Sequence, residues 1–106
     1  MAKQQKKQDQ ISQILDERGS RYGSFEKHAN LTMKLKIAIE EHISKYRVEP
    51  ILTADQYEAL HMICHKIGRI VNGDPNYADS WIDIAGYAKL VSDRLQLEEK
   101  LNESAK

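Results

Sequence analysis

Apolar residues recur along this chain at spacings of three and four, the period of a helix that buries one face. Ile11, Ile14 and Leu15, followed by Arg18, form a short stripe that stops at Gly19. Phe25, Ala29 and Met33 begin a second stripe; Leu35, Ile39, Ile43 and Tyr46 continue it, and Leu31, Ile37 and Ala38 widen it. Tyr57, Leu60, Cys64, Ile67, Ile70 and Val71 make a third, and Tyr77, Trp81, Ile84, Ala85, Ala88, Val91 and Leu95 a fourth. Runs of β-branched residues are absent, which argues against a sheet.

The punctuation between the stripes sets the boundaries. Gly19 stands where a C-terminal cap belongs, and Ser24 is a good N-cap for the second helix. Pro50 turns Glu49 away from helical backbone, after which Thr53 and Gln56 have the spacing of a capping box. Asn72-Gly73 stops the third helix, and Asp74-Pro75 fits the N-cap and first-turn preferences of a fourth. Gly68 lies mid-helix, where close approach of another element is its best explanation, and Gly86 is the expected counterpart. The reading is an all-α, compact bundle of four helices at about 9–18, 25–46, 54–72 and 76–100, the last two forming a hairpin. Residues 1–8 and 102–106 are expected to fray, leaving one helical domain over 9–101.

Composition narrows the function classes. The 106 residues carry 16 basic and 16 acidic side chains, so the net charge is zero. That removes the electrostatic basis for non-specific nucleic-acid binding and weakly favours self-association. A single cysteine, Cys64, excludes an internal disulfide framework and suits a reducing compartment. No apolar run approaches the ~20 residues of a membrane span. The basic N-terminus has no apolar segment behind it, so it does not read as a secretory signal, and the cytoplasm is the expected location.

Three groups of residues could carry chemistry. The loop holding Arg18, Arg21, Tyr22 and Ser24 has glycines at 19 and 23 and feeds a helix N-terminus. It reads either as a plain connector or as an anion site. Asp79 and Asp83 lie one turn apart on the last helix, with Glu58 on the helix before and Asp74 at the corner. Such oxygen-only sets suit Mg²⁺, although acids near a helix start are also favoured by the helix dipole. His65, Lys66 and Arg69 follow on the third helix, with Arg69 in reach of Asp79 or Asp83. An ion pair and a phosphate clamp are the two outcomes. His61 and His65 have zinc-site spacing but no evident third ligand. His28 and His42 sit in polar company and are expected at the surface.

The segments ERGSRYGSF, EALHMICHKIGRIVNGDP and YADSWIDIAGYAKL resemble a family of small tailed-phage and prophage proteins of undefined function. The resemblance covers about residues 14–94. More distantly, the chain resembles the all-α MazG-like nucleoside triphosphate pyrophosphatases, which hold Mg²⁺ through an ExxE pair and a later ExxD pair. Glu58 and Asp83 match parts of that pattern. His61 stands where the second glutamate of the first pair would fall, and Asp79 and Asp83 are spaced by four rather than three.

These resemblances imply a bacteriophage accessory protein that binds a nucleotide or nucleotide-like phosphate ligand. Arg18, Arg21, Tyr22, Ser24, His65, Lys66 and Arg69 would hold the ligand, and Glu58, Asp79 and Asp83 the metal. The alternatives are an active Mg²⁺-dependent pyrophosphohydrolase and a counter-defence protein that sequesters a host nucleotide signal or binds a host protein. A homodimer with sites between protomers is expected, because a helical domain this small rarely encloses a ligand alone.

Overall fold

Four helices follow one another in the computed structural model, which describes residues 2–47 and 49–105. They are α1 (Ala2–Tyr22), α2 (Phe25–Tyr46), α3 (Ala54–Asn72) and α4 (Ala78–Ala105). The described residues contain no strand, so the all-α reading holds, with α3 and α4 as the terminal hairpin. Met1 and Lys106, in the tails expected to fray, and Val48, in the expected connector, lie outside the described residues. Among the described residues, no helix is long and apolar enough to cross a membrane.

The outer boundaries differ from the sequence reading. Helix α1 begins at Ala2 and runs through Gly19 to Tyr22, and α4 continues to Ala105. Gly19 is an interior helix residue whose carbonyl accepts the Gly23 N–H at 2.9 Å. The left-handed residue that ends α1 is Gly23, at φ +76°. Ser24 caps α2 as expected, accepting from the Lys27 N–H at 3.5 Å. Thr53 caps α3, its N–H donating to Gln56 Oε1 at 3.0 Å. Asp74 caps a turn rather than α4: its Oδ1 accepts from the Asn76 N–H at 2.9 Å, and the helix starts only at Ala78.

Helix α3 is the centre of the molecule, packed between α2 and α4, whose backbones do not approach each other among the described residues. This explains why α3 buries residues on more than one face: Ala59, Cys64, Lys66 and Gly68. On α2 the buried positions are His28 and Thr32, with Leu35 and Ile39 partly covered. The stripe begun by Phe25 and Met33 points outward, with Phe25 81% exposed. On α4 the packed face is turned by one position, from Trp81 to Ser80, continuing through Ile84, Tyr87 and Val91.

Two glycine contacts lock the helices. A Cβ at Gly68 would stand 2.6 Å from Thr32 Oγ1 and 2.7 Å from His28 Nδ1, so the absent side chain of α3 is the socket for α2. Gly68 therefore faces α2, not Gly86, which has nothing within 4 Å of a built Cβ. At the other junction, a Cβ on Gly73 would overlap the backbone of Arg21 and Tyr22, and one on Gly23 the backbone of Asn72. The Asp74 N–H donates to the Arg21 carbonyl across that junction at 2.7 Å. At the far end of the hairpin, Arg94 joins α4 to α3 through both Asp55 oxygens and Thr53 Oγ1. The Arg94 hydrogen bonds hold the Asp55 carboxyl at about 2, well below the usual carboxylate range.

Candidate functional site

The interlocked ends of α1 and α3 place the basic and aromatic residues. Because Gly23 and Gly73 let the two backbones touch, the last turns of α1 lie across the second half of α3 and the first turn of α2. A cavity of about 250 Å³ opens there, lined by Leu15, Arg18, Tyr22, Phe25, His28, His65 and Arg69 together with Gly19 and Gly23. No carboxylate lines it.

The Arg69 guanidinium stacks on the Tyr22 ring, 4.2 Å from its centroid. Among the described residues, neither Arg18 nor Arg69 has an acidic partner within 4 Å. Below them, His28 Nε2 and His65 Nδ1 are 3.1 Å apart, their rings edge to face. Burial lowers the pKa of both. His65 falls to about 4, with Arg69, His28, Lys66 and Lys36 adding to the burial effect. The pair is therefore neutral near pH 7. Helix-terminal carbonyls near the cavity are engaged: Gly19 by the Gly23 N–H, Arg69 by the Gly73 N–H, and Gly68 by the Asn72 side-chain amide.

Of the basic and loop residues expected to bind a ligand, Arg18, Tyr22, His65 and Arg69 come together. Arg21 lies outside the cavity, stacked over the Tyr77 ring at 4.4 Å. Ser24 is spent on the α2 cap. Lys66 lies outside the cavity lining and pairs with Asp83 of α4 at 2.8 Å. The ion pair expected of Arg69 thus belongs to Lys66, whose ammonium reaches Asp83 on α4, while the Arg69 guanidinium lies over Tyr22 of α1.

The acidic set does not assemble. Among the described residues no three His, Cys, Asp or Glu side chains are grouped to hold a metal ion. Asp83 is committed to Lys66, Asp79 accepts from the Tyr77 hydroxyl at 3.0 Å, and Glu58 lies beside Asp55 and Arg94 near the far end of the hairpin. These residues do not fit Mg²⁺ as a joint site. His61 packs edge to face on Tyr57, and its Nε2 lies 3.7 Å from Glu40, so it shares no ligand position with His65. The Cys64 thiol is buried, and burial raises its pKa, which leaves it a poor nucleophile at neutral pH.

His28 is the residue that sequence reasoning misplaced. It is 6% exposed and forms the floor of the cavity. Its signal was the buried sequence His28, Thr32, Leu35, Ile39, spaced four, three and four, which competes with the more apolar stripe started by Phe25.

A larger cavity of about 510 Å³ lies at the other end of α2, walled by Ile43, Pro50, Ile51, Leu52 and Tyr57. Its guanidinium, Arg47, shares the wall with Glu49, so it offers an anion no net charge.

A family model described as Domain of unknown function (DUF6378) matches residues 7–95, most of the chain and all of the cavity-lining residues. The chain belongs to the DUF6378 family. No curated protein and no solved structure matches it. Membership identifies a shared domain and names no activity, source or ligand. The cavity of about 250 Å³ offers positive charge, aromatic faces and neutral imidazoles.

Proposed function

We propose that this protein is a binding module for a small phosphate-bearing ligand of the nucleotide type, acting without catalysis. The observation that carries the reading is the carboxylate-free cavity in which Arg18 and Arg69 stand beside Tyr22 and Phe25. Guanidinium groups match phosphate oxygens with paired N–H donors, and aromatic rings supply a surface on which a base can lie. At about 250 Å³ the cavity is below the usual ~300–1,000 Å³ of a site that encloses a whole ligand. A phosphate and part of a sugar or base fit inside, and the remainder extends over the exposed Phe25 ring.

A nucleotide is the ligand class that the resemblance of the sequence segments to MazG-like enzymes would imply. The scattered acids Glu58, Asp79 and Asp83 favour binding over hydrolysis. Titration calorimetry with a panel of nucleoside mono-, di- and triphosphates and cyclic dinucleotides tests the reading. Arg18→Ala is the informative variant, because Arg18 is exposed and pairs with no described acid. Loss of one charge-assisted contact of about 1.5–3 kcal/mol weakens binding roughly 10- to 100-fold. No binding across the panel, or affinity unchanged in both Arg18→Ala and Arg69→Ala, overturns it.

A further inference from the structure

The chain exposes 8702 Å² of accessible surface. A folded monomer of 12.2 kDa exposes about 6,100 Å². The excess, about 2,600 Å², is well beyond the ~800 Å² that each partner contributes to a standard interface and matches what an obligate one buries per subunit. The radius of gyration, 19.0 Å, exceeds the ~13 Å of a single domain this long. The molecule measures 68 Å along its main axis, whereas the longest helix, α4, spans only ~42 Å.

Helix α1 accounts for much of this. It meets α2 and α3 near its C-terminal end, at the glycine junction and the cavity, and among the described residues its backbone does not approach that of α4. Its apolar positions Ile11, Ile14 and Leu15 are 58%, 50% and 60% exposed. Ile11, Leu15, Arg18 and Tyr22 follow one another at four, three and four residues, the seam of a two-helix contact. The last three of these also line the cavity, so the uncovered stripe runs directly into the site, and Phe25, 81% exposed, extends its lip.

We infer that a second copy of this chain covers the α1 stripe, the two α1 helices packing on each other about a twofold axis and roofing both cavities. A second copy is the occupant because a twofold interface buries the same patch on both chains, so one contact removes the exposed stripe from each. The zero net charge of the chain sets no long-range repulsion against it. The contact does not depend on the ligand reading; it adds to that reading the wall that the open cavity lacks.

The test is the mass of the full chain by analytical ultracentrifugation at micromolar concentration, without ligand. The expected result is a dimer, converted to monomer in Ile11→Glu/Ile14→Glu with helicity retained in the far-ultraviolet circular dichroism spectrum. Should that variant unfold, cross-linking decides: Ile11→Cys links into dimers with a bismaleimide, and Gln13→Cys, on the opposite side of α1, does not. The native Cys64 is buried and contributes little background. A wild-type monomer, a dimer that survives both glutamates, or equal cross-linking from positions 11 and 13 overturns the inference. A dimer that ignores every nucleotide would leave this contact standing and remove the ligand reading alone.

Discussion

The same substitution, glycine to alanine, should have opposite effects at two interior helix positions. In an exposed helix, alanine is favoured over glycine by about 0.8–1.0 kcal/mol. At Gly86 the added methyl meets nothing within 4 Å, so the full propensity gain is expected. At Gly68 it would stand 2.6 Å from Thr32 Oγ1, 2.7 Å from His28 Nδ1 and 3.0 Å from His28 Cε1. Ordinary contact needs ~3.5–4 Å, so both side chains must retreat by about 1 Å. Neither can do so easily: Thr32 is 4% and His28 6% exposed, and His28 is also tied to His65. Overpacking of this kind costs about 1–3 kcal/mol, which cancels the propensity gain and leaves a net loss of up to about 2 kcal/mol. For a domain near this size, 1 kcal/mol moves Tm by about 4–8 °C. Thermal melts at fixed protein concentration should show Gly86→Ala melting about 4 °C above wild type and Gly68→Ala melting below wild type. Thr32→Ala should relieve part of the Gly68→Ala loss, since it removes the nearest atom. A Gly68→Ala protein as stable as Gly86→Ala would show that α2 does not sit in the Gly68 socket.

Acidification supplies a second check. Folded His65 stays neutral down to about 4, whereas the unfolded histidine protonates near 6.5. Between those values the unfolded state binds more protons, so stability falls as pH drops from about 6.5 towards 4. The slope from one such histidine is at most ~1.4 kcal/mol per pH unit, and less here because the ring keeps some solvent contact. Melts between pH 7.5 and 5 should show this slope, and His65→Gln should flatten it; an unaltered slope would assign it to other groups. At the α3–α4 contact, Asp83→Ala leaves the 8% exposed Lys66 without its partner. The loss should be roughly 2 kcal/mol, below the 3–5 of a fully buried pair because Asp83 is half exposed. Adding Lys66→Met should restore most of it, as urea midpoints would show. If Asp83→Ala instead left stability intact, the pair would be dispensable to the hairpin.

The sequence by itself determined the helices. Periodic apolar residues, Ser24, the Thr53–Gln56 pair and the Asn72-Gly73 stop each act within a few residues, so their consequences are local and readable. The hairpin of α3 and α4 was legible for the same reason, since a tight corner joins two amphipathic segments. The termination of α1 was misread because two glycines competed, and Gly19 satisfied the local rule. Gly23 prevailed because its backbone must pass against Asn72, a contact 49 residues away that no local rule contains.

Which face each helix buries was decided only by the tertiary structure. Phe25 and Trp81 are large and apolar, yet they are exposed, and His28 and Ser80 are packed instead, because α3 lies where its glycine and small side chains admit close neighbours. The candidate site follows the same division. Arg18, Tyr22, His65 and Arg69 were identifiable by type, but His28 was taken for a surface residue. Lys66 and Arg69 were grouped by spacing although they face different helices. The anion-competent cavity depends on α1, α2 and α3 meeting at Gly23 and Gly73. That meeting is a long-range steric fact, and the chemistry of the site derives from it.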